Sequence, residues 1–353
     1  MDQLARPAGR RTAGAMERLT EKTMSTTDLT RKEGAGQSGL VIAADLGGTN
    51  LRAATVDAEG RIHERVKHQT PKAERADEIV RALVQAAREC ERLSERRGAQ
   101  VSALSVVVPG TVQIENGVVT KAPNVPCLDG FRLGAALESE LQWPAILEND
   151  ANAAAVGEMW QGAGRGARTI ICVTLGTGVG GGIILDGQLW RGIDGSAGEI
   201  GHIGVEPTGT ACPCGSRGCL EVYASATAIV RMTREARPCY PRSPLHTKEE
   251  LTAEMVYMSG IEGDELALEV FRRMGFYLGV GLASLIDIFN PERIVIGGGV
   301  AEGWQLFYEH VRKHVMERAF PIPARRARIV RAERGDDAGL LGAAHIAFTK
   351  QAK

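Results

Sequence analysis

The chain has 353 residues, 44% hydrophobic and 24% charged, with 42 Lys and Arg against 43 Asp and Glu. That is enough apolar material for one large core or two medium ones. A net charge of −1 draws the chain neither to nucleic acid nor to a membrane surface, and no apolar run of about 18 residues offers a transmembrane helix.

Residues 1–38 are polar, rich in Arg, Thr and Gly, and lack hydrophobic periodicity, so a disordered tail is expected. No apolar segment follows its basic residues, which argues against a secretory signal; Met16 and Met24 are alternative starts. "GLVIAADLGGT" (Gly39–Thr49) is an apolar run ending in a Gly-rich turn, and "LRAATVD" follows at once, the pattern of a hairpin. Residues 74–97 show helical spacing, with Ile79, Leu83, Ala86, Ala87 and Cys90 on one face. "VSALSVVVPG" (Val101–Gly110) reads as a buried strand. The pattern then restarts: "ARTIICVTLGTG" (Ala167–Gly178) is a strand with a Gly turn and "VGGGIILDG" (Val179–Gly187) its hairpin partner. "PERIVIGGGV" (Pro291–Val300) is a strand ending in three glycines. Helices are expected over 131–142, 151–160, 224–236, 264–289, 303–318 and 338–349. Within the fourth, "FYLGVGLASLIDIF" (Phe276–Phe289) is short and carries Asp287, so it reads as a buried helix. Two strand–turn–strand units about 130 residues apart suggest an internal duplication and a two-lobed α/β protein.

Candidate chemistry sits at the turns. "DLGGTN" (Asp45–Asn50) joins adjacent glycines, which let backbone N–H groups approach an anion, to Asp45 at a strand end, a position suited to Mg²⁺. "LGTGVGGG" (Leu175–Gly182) supplies similar parts. Each turn alone is equally an ordinary Gly hairpin; neither is a P-loop, and a following strand rather than a helix disfavours the dinucleotide fingerprint. In "LENDANAAA" (Leu147–Ala155) a strand end meets a helix start, which gives Asp150 either a catalytic place or a capping one. "GEIGH" (Gly198–His202) precedes Cys212, Cys214 and Cys219, giving H-x9-C-x-C-x4-C. One imidazole and three thiolates suit tetrahedral Zn²⁺ and fill it, so the metal would be structural, with Glu199 beside it and not a ligand. Cys90, Cys127, Cys172 and Cys239 lack spacing logic and read as small buried hydrophobes in a reducing cytoplasm.

DLGGTN, LEND, LGTGVGGG, GEIGH, CPCGSRGCLE and IVIGGGV, in this order, resemble the ROK family (repressors, open reading frames and sugar kinases) from residue 39 to about 349. "LEVYASATAIVR" (Leu220–Arg231) is most similar to the family's bacterial glucokinases. The resemblance implies two duplicated RNase H-like lobes of the actin and hexokinase type around a central cleft. The expected division is a small lobe over 39–150 plus about 336–353 and a large lobe over 151–335 carrying the zinc knuckle. It further implies Asp150 as catalytic base, and Asn124, Asn149, Glu199, His202 and Glu221 as sugar ligands with Gly110 beside the sugar. Gly47, Gly48, Thr49, Asn50, Thr177 and Gly178 match the two phosphate turns, and Gly298 and Gly299 the adenosine side. "NVPCLDGF" (Asn124–Phe131) departs from the Gly-Trp that many relatives carry after the proline. The expected reaction is ATP-Mg²⁺-dependent phosphorylation of glucose at the 6-hydroxyl, in a cytoplasmic homodimer or homotetramer. The alternatives are a kinase for N-acetylmannosamine, N-acetylglucosamine, fructose or allose, or a sugar-sensing repressor. Family repressors carry a winged helix-turn-helix ahead of the kinase-like part, and residues 1–38 hold no amphipathic helix pair, which argues against DNA binding.

Overall fold

A computed structural model describes residues 39–351; the tail expected over 1–38 lies outside the described residues. The first half is strand-rich. β1 (Leu40–Leu46), β2 (Asn50–Val56) and β3 (Ile62–Gln69) form an antiparallel meander. Helix α1 (Ala76–Glu95) then leads to β4 (Val101–Val108), which pairs parallel with β1. A small hairpin, β5 (Thr111–Gln113) and β6 (Val118–Lys121), and helix α2 (Leu133–Leu141) lead to β7 (Ala145–Asn149), parallel to β4. The sheet order is β3-β2-β1-β4-β7.

Helix α3 (Asp150–Gln161) opens the second half, and the topology repeats. β8 (Ile170–Leu175), β9 (Val179–Leu185) and β10 (Gln188–Trp190) form a second meander. Four helices follow: α4 (Glu221–Ala224), α5 (Ala226–Ala236), α6 (Ala253–Ile261) and α7 (Glu265–Phe289). β11 (Arg293–Gly297) pairs parallel with β8; then come α8 (Trp304–Arg318), α9 (Pro321–Arg326), β12 (Arg328–Arg331), parallel to β11, and α10 (Ala338–Gln351). The order β10-β9-β8-β11-β12 matches the first sheet strand for strand, so the duplication expected from the two Gly turns extends over five strands.

Each sheet is covered on both faces, as its nearly uninterrupted buried central strands require. The first packs α1 and α2 on one side through Ile42, Leu46, Leu83 and Leu104, and α10 on the other through Val41, Ala43 and Leu341. The second packs α5, α7 and α8 on one side through Leu175, Phe271 and Phe307, and α3 on the other through Ala155, Ile170 and Val295. α3, which follows the last strand of the first sheet, packs on the second sheet; α10, which follows the last strand of the second, packs on the first. The two exchanged helices meet between the sheets with backbones nearly touching. A methyl at Gly342 would run into the Ala153 carbonyl and stand 2.9 Å from the Gly157 nitrogen; one at Gly157 would run into the Ala338 carbonyl. Backbone atoms on two helices cannot step aside as a flexible side chain can. Gly342→Ala is therefore expected to cost about 1–3 kcal/mol of stability, measured by urea unfolding, despite alanine's better helix propensity.

Several local expectations are corrected. The helix expected over 224–236 breaks at Ser225, whose Oγ accepts the Ala228 N–H (3.1 Å) and so caps α5. Cys239 is exposed in a short 3-10 turn and Cys127 is only partly buried, whereas Cys90 and Cys172 are core residues. β3, β10 and β12 had no counterpart in the sequence reading because they lie outside the buried middle of their sheets: β3 and β10 have no fully buried strand face and β12 is a four-residue edge. Among the described residues no helix is long and apolar enough to cross a membrane.

Candidate active site and metal centre

The C-terminal ends of β4, β7 and β8 open on a cavity of about 580 Å³. Gly110, Asn124, Asn149, Asp150 and Thr177 line it together with Gly178, Glu199, His202, Glu221 and Gly298. Ten of the residues singled out in the sequence thus converge on one space. Gly110 follows β4 with φ +142°, and a Cβ there would strike the Lys121 carbonyl, so only glycine lets β6 pass this close.

Asp150 is the first residue of α3. The capping role that the sequence left open belongs instead to Asn149, whose Oδ1 accepts the Asn152 N–H (3.0 Å). The Asn149 amide also donates to the Gly110 carbonyl (2.9 Å) and to Asp150 Oδ1 (3.0 Å). Both amide hydrogens are engaged, which leaves a lone pair of Oδ1 for any ligand. Asp150 Oδ1 further accepts the Ala151 N–H (2.9 Å), and Oδ2 has no partner among the described residues. The carboxylate is exposed to the cavity, yet protein encloses it at longer range. That desolvation, with the nearby Asp45 anion, raises its pKa above the ordinary aspartate value, and the Ala151 and Asn149 hydrogen bonds offset only part of the rise.

The β1–β2 turn stands beside this cavity and does not line it. A methyl at Gly48 would meet Asn124 Cβ at 3.1 Å, so Gly48 packs against this wall residue, while Gly47, Thr49 and Asn50 are likewise not among the lining residues. The Asp45 carboxylate is engaged by Arg52, which also reaches Asp336 (3.1 Å). The β8–β9 turn, by contrast, forms wall. Its Val179 N–H donates to Glu221 Oε2 (2.9 Å), and its Gly176 carbonyl accepts the Ala226 N–H (2.8 Å) at the start of α5. Glu221 therefore bonds to this Gly-rich turn, and the positive end of α5 lies against it. Beyond Gly176 and Thr177 a second cavity of about 460 Å³ holds Gly299, Ile229, Tyr257 and Phe271, an apolar space adjoining the turn.

His202, Cys212, Cys214 and Cys219 bring their donor atoms within 4.8 Å of one another. Cys214 and Cys219 Sγ are 3.7 Å apart, and Cys212 Sγ is 3.7 Å from His202 Nδ1. A tetrahedral zinc with bonds of about 2.3 Å to sulfur separates two sulfurs by about 3.8 Å, so donor set and spacing both fit the ion. The scaffold is a backbone knuckle: Cys212 N–H to Ser216 O (2.9 Å), Gly215 N–H to Cys212 O (3.0 Å) and Gly218 N–H to Thr210 O (2.8 Å). Burial pushes the Cys219 thiol up to about 12, while the Ser216 N–H lowers that of exposed Cys214; a divalent cation is the charge that would let all three ionise together. His202 turns Nδ1 to the thiols and Nε2 to the cavity side, 3.9 Å from Glu199 Oε2.

The sequence groups Glu148 with Asn149 and Asp150 at the strand end without a role of its own, and does not single out Asn152 or Arg191. Glu148 is fully buried and bonds both Asn152 and Arg191. A lone carboxylate inside an apolar strand, as in "AILEN", was the available signal, because such a charge needs a partner.

Two five-stranded sheets of one topology, facing a cleft through Gly turns, define the actin- and hexokinase-like fold. Within it the chain belongs to the ROK family, which matches residues 41–350. It is 38% identical over 308 residues to a glucokinase of Halalkalibacterium halodurans, covering 85% of this chain and 92% of that one. The structure is similar to that of a ROK family glucokinase from Streptomyces griseus in complex with glucose and AMPPNP, with TM-score 0.74, 36% identity, and 87% and 99% of the two chains covered. A more distant relative is the DNA-binding transcriptional repressor Mlc of Escherichia coli, 29% identical over 252 residues, 71% of this chain and 62% of the repressor.

Proposed function

We propose that the chain transfers the γ-phosphoryl group of ATP-Mg²⁺ to the 6-hydroxyl of glucose. The observation that carries this reading is the place of Asp150. It lines one cavity together with the polar side chains of Asn124, Asn149, Glu199, His202 and Glu221 and with Thr177 and Gly178 of the Gly-rich β8–β9 turn. Asn124, Asn149, Glu199, His202 and Glu221 hold the sugar, with Gly110 beside it. Thr177 and Gly178 face the phosphates, supported by Gly47, Gly48, Thr49 and Asn50, and Asp45, paired with Arg52, would be the residue to hold Mg²⁺. The nucleoside lies past Gly298 and Gly299, its base in the apolar space beside Tyr257. Asp150 Oδ2 takes the proton of the 6-hydroxyl as that oxygen bonds to the γ-phosphorus and the bond to the β-phosphate oxygen breaks. Rate comes from alignment and charge stabilisation. Hinging of the lobes (39–150 with 336–353, against 151–335) excludes water as a competing nucleophile. His202, Cys212, Cys214 and Cys219 would hold a zinc ion, which would supply rigidity to the loop and no chemistry. The chain works in the cytoplasm as a homodimer or homotetramer, which sedimentation would check.

The test is an ADP-release assay over a sugar panel. Glucose is expected to exceed N-acetylmannosamine, N-acetylglucosamine, fructose and allose in kcat/KM by about 10–100-fold, because a missing or inverted hydroxyl leaves a buried acceptor unpaired at about 1–3 kcal/mol. A higher value for another hexose overturns the glucose assignment alone. The relation to Mlc favours one second reading, a sugar-sensing regulator. It predicts sugar-dependent gel shifts of genomic DNA and no ADP release.

A further inference from the structure

Glu148 lies in β7 with no solvent exposure, one residue before the cap of α3 and two before Asp150. Its Oε1 accepts the Asn149 N–H (3.1 Å) and the Asn152 Nδ2–H (3.1 Å). Its Oε2 accepts both Nε (2.8 Å) and Nη2 (2.7 Å) of Arg191. Arg191 follows β10, on the second sheet, so the pair ties the end of one sheet to a loop of the other. That loop matters for the site. The Arg191 carbonyl accepts the Ala197 N–H (3.1 Å), closing the turn from which Glu199 and His202 depart. Asn152 adds a third link: Glu148 fixes its amide, and its Oδ1 is left buried without a partner in the cavity wall.

A buried carboxylate needs compensation, yet any nearby interior donor would meet that need. Here the compensating charge comes from the segment that leads to Ala197, Glu199 and His202 of the same cavity. We propose that Glu148 and Arg191 are a positioning pair that sets the start of α3, and hence Asp150, against the loop bearing Glu199 and His202. The pair touches no substrate and acts through these residues. The inference deepens the kinase reading and rests on it for its kinetic readout only.

Glu148→Gln, Arg191→Met, the double variant and Arg191→Lys test it. Amide hydrogen exchange over residues 149–152 and 191–199 reads the coupling without any turnover. Each single variant is expected to raise exchange about tenfold or more in both segments, including the one left unaltered. In the assay, kcat for glucose should fall about 10–100-fold with a smaller change in KM, since misplacement costs alignment more than binding. The double variant should lose no more than the worse single one, and Arg191→Lys should recover part of the rate. If Glu148→Gln does not fold, Arg191→Lys, which keeps the charge and loses the fork, still gives a smaller rise in both segments. Unchanged exchange at 149–152 in Arg191→Met, or losses that multiply in the double variant, overturn the pair. If the parent chain phosphorylates no hexose, the kinase reading fails, and the exchange measurement still decides the coupling.

Discussion

Asp150→Asn is expected to lower kcat by about 10²–10⁴-fold while glucose still binds, the range lost with a general base. The amide keeps the shape and can still accept from Ala151 and Asn149 through Oδ1, so α3 and its cap stay in place. What is lost is the ability of the free oxygen to take a proton. As the proposed base Asp150 would act as the carboxylate, and its pKa is raised by enclosure in the cleft and by Asp45. The sign follows: kcat/KM should fall as pH drops, and its acid limb should lie above the ordinary aspartate range. Removing the neighbouring anion with Asp45→Asn should move that limb to lower pH, whatever it does to the plateau through Mg²⁺. Near-normal turnover by Asp150→Asn, with the protein folded and glucose bound, would remove Asp150 from the role.

The features legible in the sequence are those whose cause is local. A strand ending in adjacent glycines, a cap residue before a helix and a CxC knuckle are each set by neighbours a few residues away. Hence the turns at Gly47 and Gly178, the start of α3 and the Cys/His cluster around Cys212 could be read directly. The duplication was visible as two strand–turn–strand units; β4 and β11 could also be read as apolar strands, but the edge strands β3, β10 and β12 carry no strong pattern of their own, so the five-strand match did not show. Contacts distant in sequence left weaker traces. Glu148 and Arg191 stand 43 residues apart, and only the charge inside an apolar strand hinted at a partner. The crossing of α3 and α10 needed Gly157 and Gly342, two glycines among many helical small residues, and nothing in either helix names the other. The choice between Asn149 and Asp150 as cap turned on where β7 ends, a boundary of one residue.

Cys214→Ser is expected to reduce bound zinc from one per chain to a small fraction of that and to lower glucose phosphorylation with it. A serine hydroxyl at the exposed tip of the knuckle cannot replace a thiolate, and three remaining donors hold the ion far less firmly. The effect on the sugar site runs through His202. Its Nδ1 belongs to the metal cluster and its Nε2 to the cavity, so loss of the ion frees the ring to rotate away from Glu199. The same knuckle feeds directly into Glu221: Leu220 donates its N–H to Ile203 O (2.9 Å), and Cys219 pairs across to Gly204. Glu221 in turn accepts from Val179 in the phosphate-side turn. The KM for glucose should therefore rise more than the KM for ATP, although both walls are touched. Because every ligand must be deprotonated, chelation or mild acid should produce the same phenotype in the parent chain, and added Zn²⁺ at neutral pH should reverse it. Melting temperature should fall in step with metal content, which separates a structural ion from a merely adventitious one. An active preparation that contains no zinc, or a Cys214→Ser variant with full activity and an unchanged KM for glucose, would show that the four donors hold their geometry without the ion.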